Sequence, residues 1–408
     1  MTHAHHFASR FSSTSPTRKD RMDEPGGCAH PNGKTRYAAS LRFLKNPLSL
    51  AFRRIALPVI GVALLVALSG CDLLGGEEEG DSAVTTGVYV ANQGNFSDGN
   101  GSVSVYDPQE ETVDHPAVSD LSSIVQSITV TDERLYVMAN TGPFVDAYTL
   151  EDLSQIGQAT DLSGPRYMAV VSDNKAYVTN YTFGQPPTVS VLDLTSMEVT
   201  KTIDVNGSAG GVAVAAGRAY VAEGEFGADS TLAVIDTETD EITERINADC
   251  DSPRSAFADD EDDVWVVCTG VTMRDGDGNV TGRTNGAIRV LDGATGEITK
   301  RMDASSQLGG SQGAFYSAQA EEAYVIKSER QLIRLDTEDN TRTTTLGPLD
   351  GDPIGAVGYD ARSRQLYVGH VPGFSSRGDV TIHERNGEQT GSFTAGVAPT
   401  YITFRAEE

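Results

Sequence analysis

The sequence predicts an all-β chain folded as a seven-bladed propeller. Three observations carry that reading. An aromatic residue followed by valine recurs seven times, at Tyr89, Tyr136, Tyr177, Tyr220, Trp265, Tyr324 and Tyr367. The spacings are 47, 41, 43, 45, 59 and 43 residues, which suits one four-stranded sheet per repeat. The two ends of the array are incomplete in complementary ways.

Each element follows from its residues. Ahead of six anchors lies a short apolar run: 127–130, 167–170, 211–214, 255–258, 313–316 and 355–358. A polar turn such as 172–175 joins run to anchor, so the pair reads as a hairpin. After most anchors comes an alternating strand ending in an acid, as at 102–107, 188–193, 231–236, 287–292 and 332–336. A polar turn and a weak fourth strand follow, as in 195–205. The first anchor, Tyr89, has no such run before it. Residues 399–404 have the inner-strand pattern with no anchor behind it. The last strand is therefore expected to complete the first blade, removing free sheet edges. A count of six or eight blades is the alternative.

Charge divides the chain. It holds 31 Lys and Arg against 58 Asp and Glu, a net −27. Residues 1–71 carry ten Lys and Arg against three acids, so residues 72–408 carry −34. Such an acidic body excludes a nucleic-acid partner, which needs a basic surface. It also stays soluble by self-repulsion.

Residues 55–70 are an apolar run behind Arg53 and Arg54, ended by Cys71. That is an export signal, short for a membrane span. Residues 68–71, Leu-Ser-Gly-Cys, resemble the bacterial lipobox. The resemblance implies cleavage before Cys71, acylation of its sulfur and anchoring to outer-membrane lipid. The expected location is the cell envelope, as an outer-membrane or cell-surface lipoprotein. Residues 1–54 form a polar, basic leader that serves no evident purpose ahead of a signal, as if the translation start lay later. Residues 71–84 form a Gly- and acid-rich tether that cannot pack a core. The propeller is expected over 85–408.

The repeats also carry a family resemblance. Residues 176–181 contain Tyr-Val-Thr-Asn, and 88–96, 135–142 and 219–227 look like variants of it. The chain thus resembles the YVTN-repeat, YncE-like propellers. Its opening, 88–108, is similar to surface lipoprotein propellers of Bacteroidetes-type bacteria, some of which capture cobalamin for an outer-membrane transporter. The resemblance implies the fold, and names a corrinoid ligand and a TonB-dependent transporter as partners to test.

Propeller loops on one face are where function concentrates. Aligning the inner strands puts Gln126, Arg166, Gly210, Arg254, Gln312, Ile354 and Thr400 at the channel mouth. Two Arg and two Gln there point to a polar or anionic ligand; the structural alternative pairs each Arg with an acid such as Asp251. If both Arg face ligand, replacing them with alanine leaves thermal stability unchanged. Loops after the second strands repeat an aromatic: Phe96, Phe144, Phe183, Phe226 and Phe374, joined by Tyr181. These suit a large, partly apolar ligand, or else cap the core. Asn92, Asn95, Asn140 and Asn180 share these loops and read as turn residues. Cys250 and Cys268 are expected on one face as a disulfide.

Catalytic signals are few. His115, His370 and His383 are the histidines after Cys71, and His370 is the acid–base candidate. Asp275, Asp277 and Asn279 read first as a hairpin turn and second as a calcium loop, which lacks its closing Glu because Gly286 stands there. No metal or cofactor is expected. The expected function is binding rather than catalysis, with a lactonase-like or quinoprotein-like enzyme, or a structural surface protein, as alternatives.

Overall fold

The computed structural model describes residues 84–227 and 229–407. The leader 1–54, the segment 55–70, Cys71 and all but the end of the tether lie outside them. Within them are seven four-stranded antiparallel sheets and one two-stranded hairpin. The one helical element described is a three-residue 3-10 turn, Ala318–Ala320.

Blades 2 to 7 run from the centre outward in chain order. Blade 2 is typical, with strands Val125–Val130, Arg134–Ala139, Phe144–Thr149 and Gln155–Ala159. The inner strands of blades 3 to 7 are Pro165–Ser172, Val212–Ala215, Pro253–Ala258, Ala314–Ser317 and Ile354–Asp360. Blade 1 draws its three outer strands from the start of the domain and its inner strand, Pro399–Glu407, from the end. Tyr89 lies opposite Thr403 and Val90 opposite Ile402. The ring is therefore closed by hydrogen bonds between the two ends of the domain. Neither end leaves an open inner edge to recruit another chain.

The seven anchors are the second-strand residues that face the next blade, and all are buried. Burying a ring of this size contributes about 2 kcal/mol. Its polar tip must then find a partner. Tyr177 donates to Asp240 Oδ1 at 2.5 Å, Tyr220 to the Gly293 carbonyl at 2.7 Å, and Trp265 Nε1 to Asp259 Oδ2 at 2.7 Å. This is why an aromatic recurs at the one register where two sheets meet.

The acids that end third strands have a local cause. Asp107, Asp193, Asp236 and Asp292 each accept the backbone N–H groups two and three residues on, turning the chain into the fourth strand. Those backbone bonds favour the carboxylate and hold Asp193, Asp236 and Asp292 below the ordinary range.

The 59-residue interval is explained by an inserted hairpin in blade 5, Thr272–Arg274 with Val280–Arg283. At its turn, Asp275 Oδ1 accepts from the Asp277 and Asn279 backbone N–H groups. The Asp275 carboxylate thus serves the turn. Cys250 and Cys268 form a disulfide with Cα atoms 6.1 Å apart, tying the lead-in of blade 5 to the end of its second strand.

Candidate functional site

The mouth residues are aimed by the sheets themselves. The inner strands of blades 2, 3 and 5 start earlier than the apolar pattern indicates, and their beginnings carry register irregularities. These fall at Val125/Ser127, Pro165/Met168 and Pro253/Ser255. Gln126, Arg166 with Tyr167, and Arg254 are the residues those irregularities leave out of the ladder. A bulge bends a strand and re-aims its side chain, here toward the mouth. Gly210 occupies the equivalent place in blade 4. A Cβ there would stand 2.6 Å from the Arg254 carbonyl oxygen and 3.4 Å from Glu225 Cβ, so only glycine leaves room for them.

Arg166 and Arg254 behave differently. Arg166 is buried and bonded to the Glu225 carboxylate through both Nε, at 2.7 Å, and Nη2, at 2.5 Å. Its guanidinium also lies 4.9 Å from the centre of the Phe226 ring. Burial is the largest influence and works against its charge, but Glu225 and Tyr167 together outweigh it, and the Arg166 pKa stands above the ordinary arginine value. Tyr167 adds a third bond to the same carboxylate at 3.2 Å. Burial first, then the Glu225 charge, raises the Tyr167 phenol. Arg254 reaches Glu225 only at 3.7 Å and donates to the Ser311 carbonyl oxygen at 3.4 Å. Its buried Nε has no hydrogen-bond partner.

The partner acid is therefore Glu225, 59 residues from Arg166, and not Asp251. Asp251 instead accepts from Ser230 at 3.3 Å. The Arg166 result also corrects the expectation that both arginines can be removed without loss of stability. Removing Arg166 leaves a fully buried carboxylate without its cation.

Above this cluster opens a cavity of about 740 Å³. That is within the usual range for a small-molecule site. Phe96, Phe374, Gln126, Arg166 and Arg254 line it, as do Tyr181, Phe183 and Phe226. The last three form one cluster with ring centres 5.3 to 5.5 Å apart. Even so, Phe183 stays 75% exposed and Phe96 64%. Aromatic surface left in water over a concave site is unusual enough to signal a binding role. Across the cavity, Asn95 donates to the Phe374 carbonyl at 3.0 Å and ties the loops of blades 1 and 7. Among the described residues no Asp or Glu lines the cavity.

Two of the expected site residues are not brought there. Gln312 is buried below the cavity. Its Oε1 accepts from the Val357 and Ile402 backbone N–H groups at 3.0 and 3.2 Å, and its Nε2 donates to the Ile402 carbonyl. It spends its amide stapling blade 6 to blade 7 and to the closing strand. Phe144 begins the third strand of blade 2 and packs against the core shared by blades 1 and 2. Of the mouth alignment, Ile354 packs in the core and Thr400 is buried.

His370 is likewise internal. Its ring nitrogens meet the Asp352 carbonyl at 2.7 Å and Thr381 Oγ1 at 2.8 Å, and it is 3% exposed. It cannot reach a substrate in the cavity. Residues 309–313, Gly-Gly-Ser-Gln-Gly, have the spacing of a serine nucleophile motif, and Ser311 lines the cavity. The motif works in a strand-to-helix turn with a histidine beside it. Here it lies in a loop before an inner strand, and among the described residues no histidine lines the cavity.

Comparison with known families gives a match over residues 86–389 to the one described as "Domain of unknown function (DUF5074)". The chain belongs to that family. No curated protein matches the sequence of this DUF5074 propeller. Solved structures do match it in fold. A functionally unknown protein from Desulfotomaculum acetoxidans superposes with a TM-score of 0.61 at 13% identity, covering 79% of this chain and 99% of its own. The periplasmic gluconolactonase of Pseudomonas aeruginosa gives 0.60 at 14%, covering 78% and 99%. Hydrazine synthase of Kuenenia stuttgartiensis gives 0.56 at 16%, covering 68% and 88%. At these identities the DUF5074 propeller shares architecture with them, and architecture alone does not carry activity across.

Proposed function

We propose that this propeller is a cell-envelope protein that binds a small molecule in its loop-face cavity, held to the membrane by lipid on Cys71. The observation that carries the reading is the cavity: exposed aromatic rings from several blades stand over two arginines, on a rigid closed scaffold. Stacked rings supply apolar area at little entropic cost. The anchor rests on the apolar segment 55–70 and the lipobox 68–71. The likeness to YVTN-repeat propellers and cobalamin-capture lipoproteins supports one specific version, in which the ligand is a corrinoid passed to a TonB-dependent transporter.

Catalysis has the fold likeness to a gluconolactonase behind it and no acid–base pair in the cavity. Binding is therefore preferred. The test is a titration with N-phenyl-1-naphthylamine, a neutral aromatic probe whose emission rises in apolar sites. One-to-one binding is expected, lost in the Phe183→Ala/Phe226→Ala double variant. No binding, or binding untouched by that variant, refutes the site. Displacement by cyanocobalamin supports the corrinoid version, and its absence removes that version alone.

A further inference from the structure

The charge in the cavity selects among ligands, an inference that rests on the binding role proposed above. Two guanidinium groups share one carboxylate. Arg166 occupies it with two short bonds, while Arg254 keeps only a loose ion pair, its Nε 3.7 Å from the carboxylate and without a hydrogen bond. Arginine carries five donors, and Arg254 spends one, at 3.4 Å, on the Ser311 carbonyl. A buried donor without a partner costs free energy until something satisfies it. The group nearest to hand in this protein would be an acid, since it has 58 of them against 31 bases. Yet among the described residues the cavity lining contains none. The lining is thus locally positive on a molecule that is strongly negative elsewhere.

The rings give the other half of the specification. Phe226 is held from one side by the Arg166 guanidinium and from another by Tyr181, with the two rings 23° apart and 5.3 Å between centres. Arg166 therefore sets the wall, and Glu225 sets Arg166. Arg254 is left as the group that meets the ligand.

We infer that the cavity takes a planar, largely aromatic ligand bearing one oxyanion, with its flat body on the Tyr181–Phe183–Phe226 cluster and its anion on Arg254. Carboxylate and sulfonate share the required chemistry, two acceptor oxygens that match the guanidinium fork. Arg166 is a positioning residue in this scheme.

The experiment uses a matched pair. 8-Anilinonaphthalene-1-sulfonate is the neutral probe N-phenyl-1-naphthylamine with one sulfonate added. Both are titrated into wild type, Arg254→Met and Arg254→Lys. In Arg254→Met the sulfonate's affinity is expected to fall about tenfold or more, the loss of a charge-assisted bond, while the neutral probe keeps its affinity. Arg254→Lys retains part of the preference, because charge survives without the fork. An unchanged ratio of the two affinities in Arg254→Met overturns the inference while leaving the cavity as a binding site. Binding of neither probe to wild type overturns the binding role and the inference together.

Discussion

Replacing Glu225 with glutamine keeps the side chain's shape and removes its charge. The consequences can be worked from three bonds. The carboxylate receives Arg166 Nε at 2.7 Å, Arg166 Nη2 at 2.5 Å and the Tyr167 hydroxyl at 3.2 Å. A glutamine offers one oxygen, and its amide N–H groups would face an arginine donor. Arg166 is 7% exposed, so water cannot take over. Breaking a buried pair from one side typically costs about 3–5 kcal/mol. Unfolding entropy is about 2.1 cal/mol/K per residue, or about 0.7 kcal/mol/K for a domain of roughly 320 residues. Glu225→Gln is therefore expected to lower Tm by about 4–7 °C. Calorimetry at pH 7 on the purified domain reads it directly. The double variant Glu225→Gln/Arg166→Met should recover part of the loss, since an apolar replacement strands no charge. A Tm within 1 °C of wild type for Glu225→Gln would show that the pair is solvent-compensated and that Arg166 does not hold the wall. Arg254→Met, by contrast, should melt close to wild type, because Arg254 has little to lose.

Other consequences follow from the fold. Burial lowers His383, which is then neutral in the folded state, with its carbonyl bond to Gly387 opposing the shift. The unfolded chain binds the extra proton more readily, so this residue's contribution is complete above about pH 6.5 and is lost as pH falls; the drop in Tm from pH 7 to pH 5 should be smaller in His383→Gln, and an equal drop would exclude the residue. Cys250 and Cys268 are 18 residues apart, for which loop closure contributes roughly 3 kcal/mol; the Cys250→Ser/Cys268→Ser variant should melt several degrees lower, and an unchanged melt would show no constraint on the unfolded chain. Deleting residues 399–408 removes the inner strand of blade 1 and should abolish the single cooperative melt and produce aggregates, whereas a soluble, cooperative truncated domain would refute closure as the source of integrity. Metabolic labelling with a fatty-acid analogue should mark the wild type and not Cys71→Ala; equal labelling would remove the anchor.

The repeat was legible because it is written in local terms. Alternation of apolar and polar residues follows the two-residue period of a strand, and each buried ring marks one sheet-to-sheet contact. The closing strand could be read too, from one pattern missing at the start and present at the end. The aromatics Phe96, Phe183, Phe226 and Phe374 recur six or seven residues past their anchors and do come together on one face. Phe144 stands eight residues past Tyr136; its strand begins at that residue and draws the ring inward. Gln312 aligns with Arg254 in sequence, yet the backbone groups of Val357 and Ile402 converge on it only once the ring is closed.

Glu225 was not legible. It is one acid among 58, and nothing in the residues beside it marks it out from the others. What singles it out is that Arg166 of blade 3 and Arg254 of blade 5 converge on its buried carboxylate across the mouth. By itself the sequence determined the strands, their number and the order in which the ring closes, because these depend on short-range periodicity and on counting. Only the tertiary structure decided which arginine is spent on the protein and which remains for a ligand, because that turns on a difference of about 1 Å between two distances to the same carboxylate, set by bulges and a glycine that no linear pattern records.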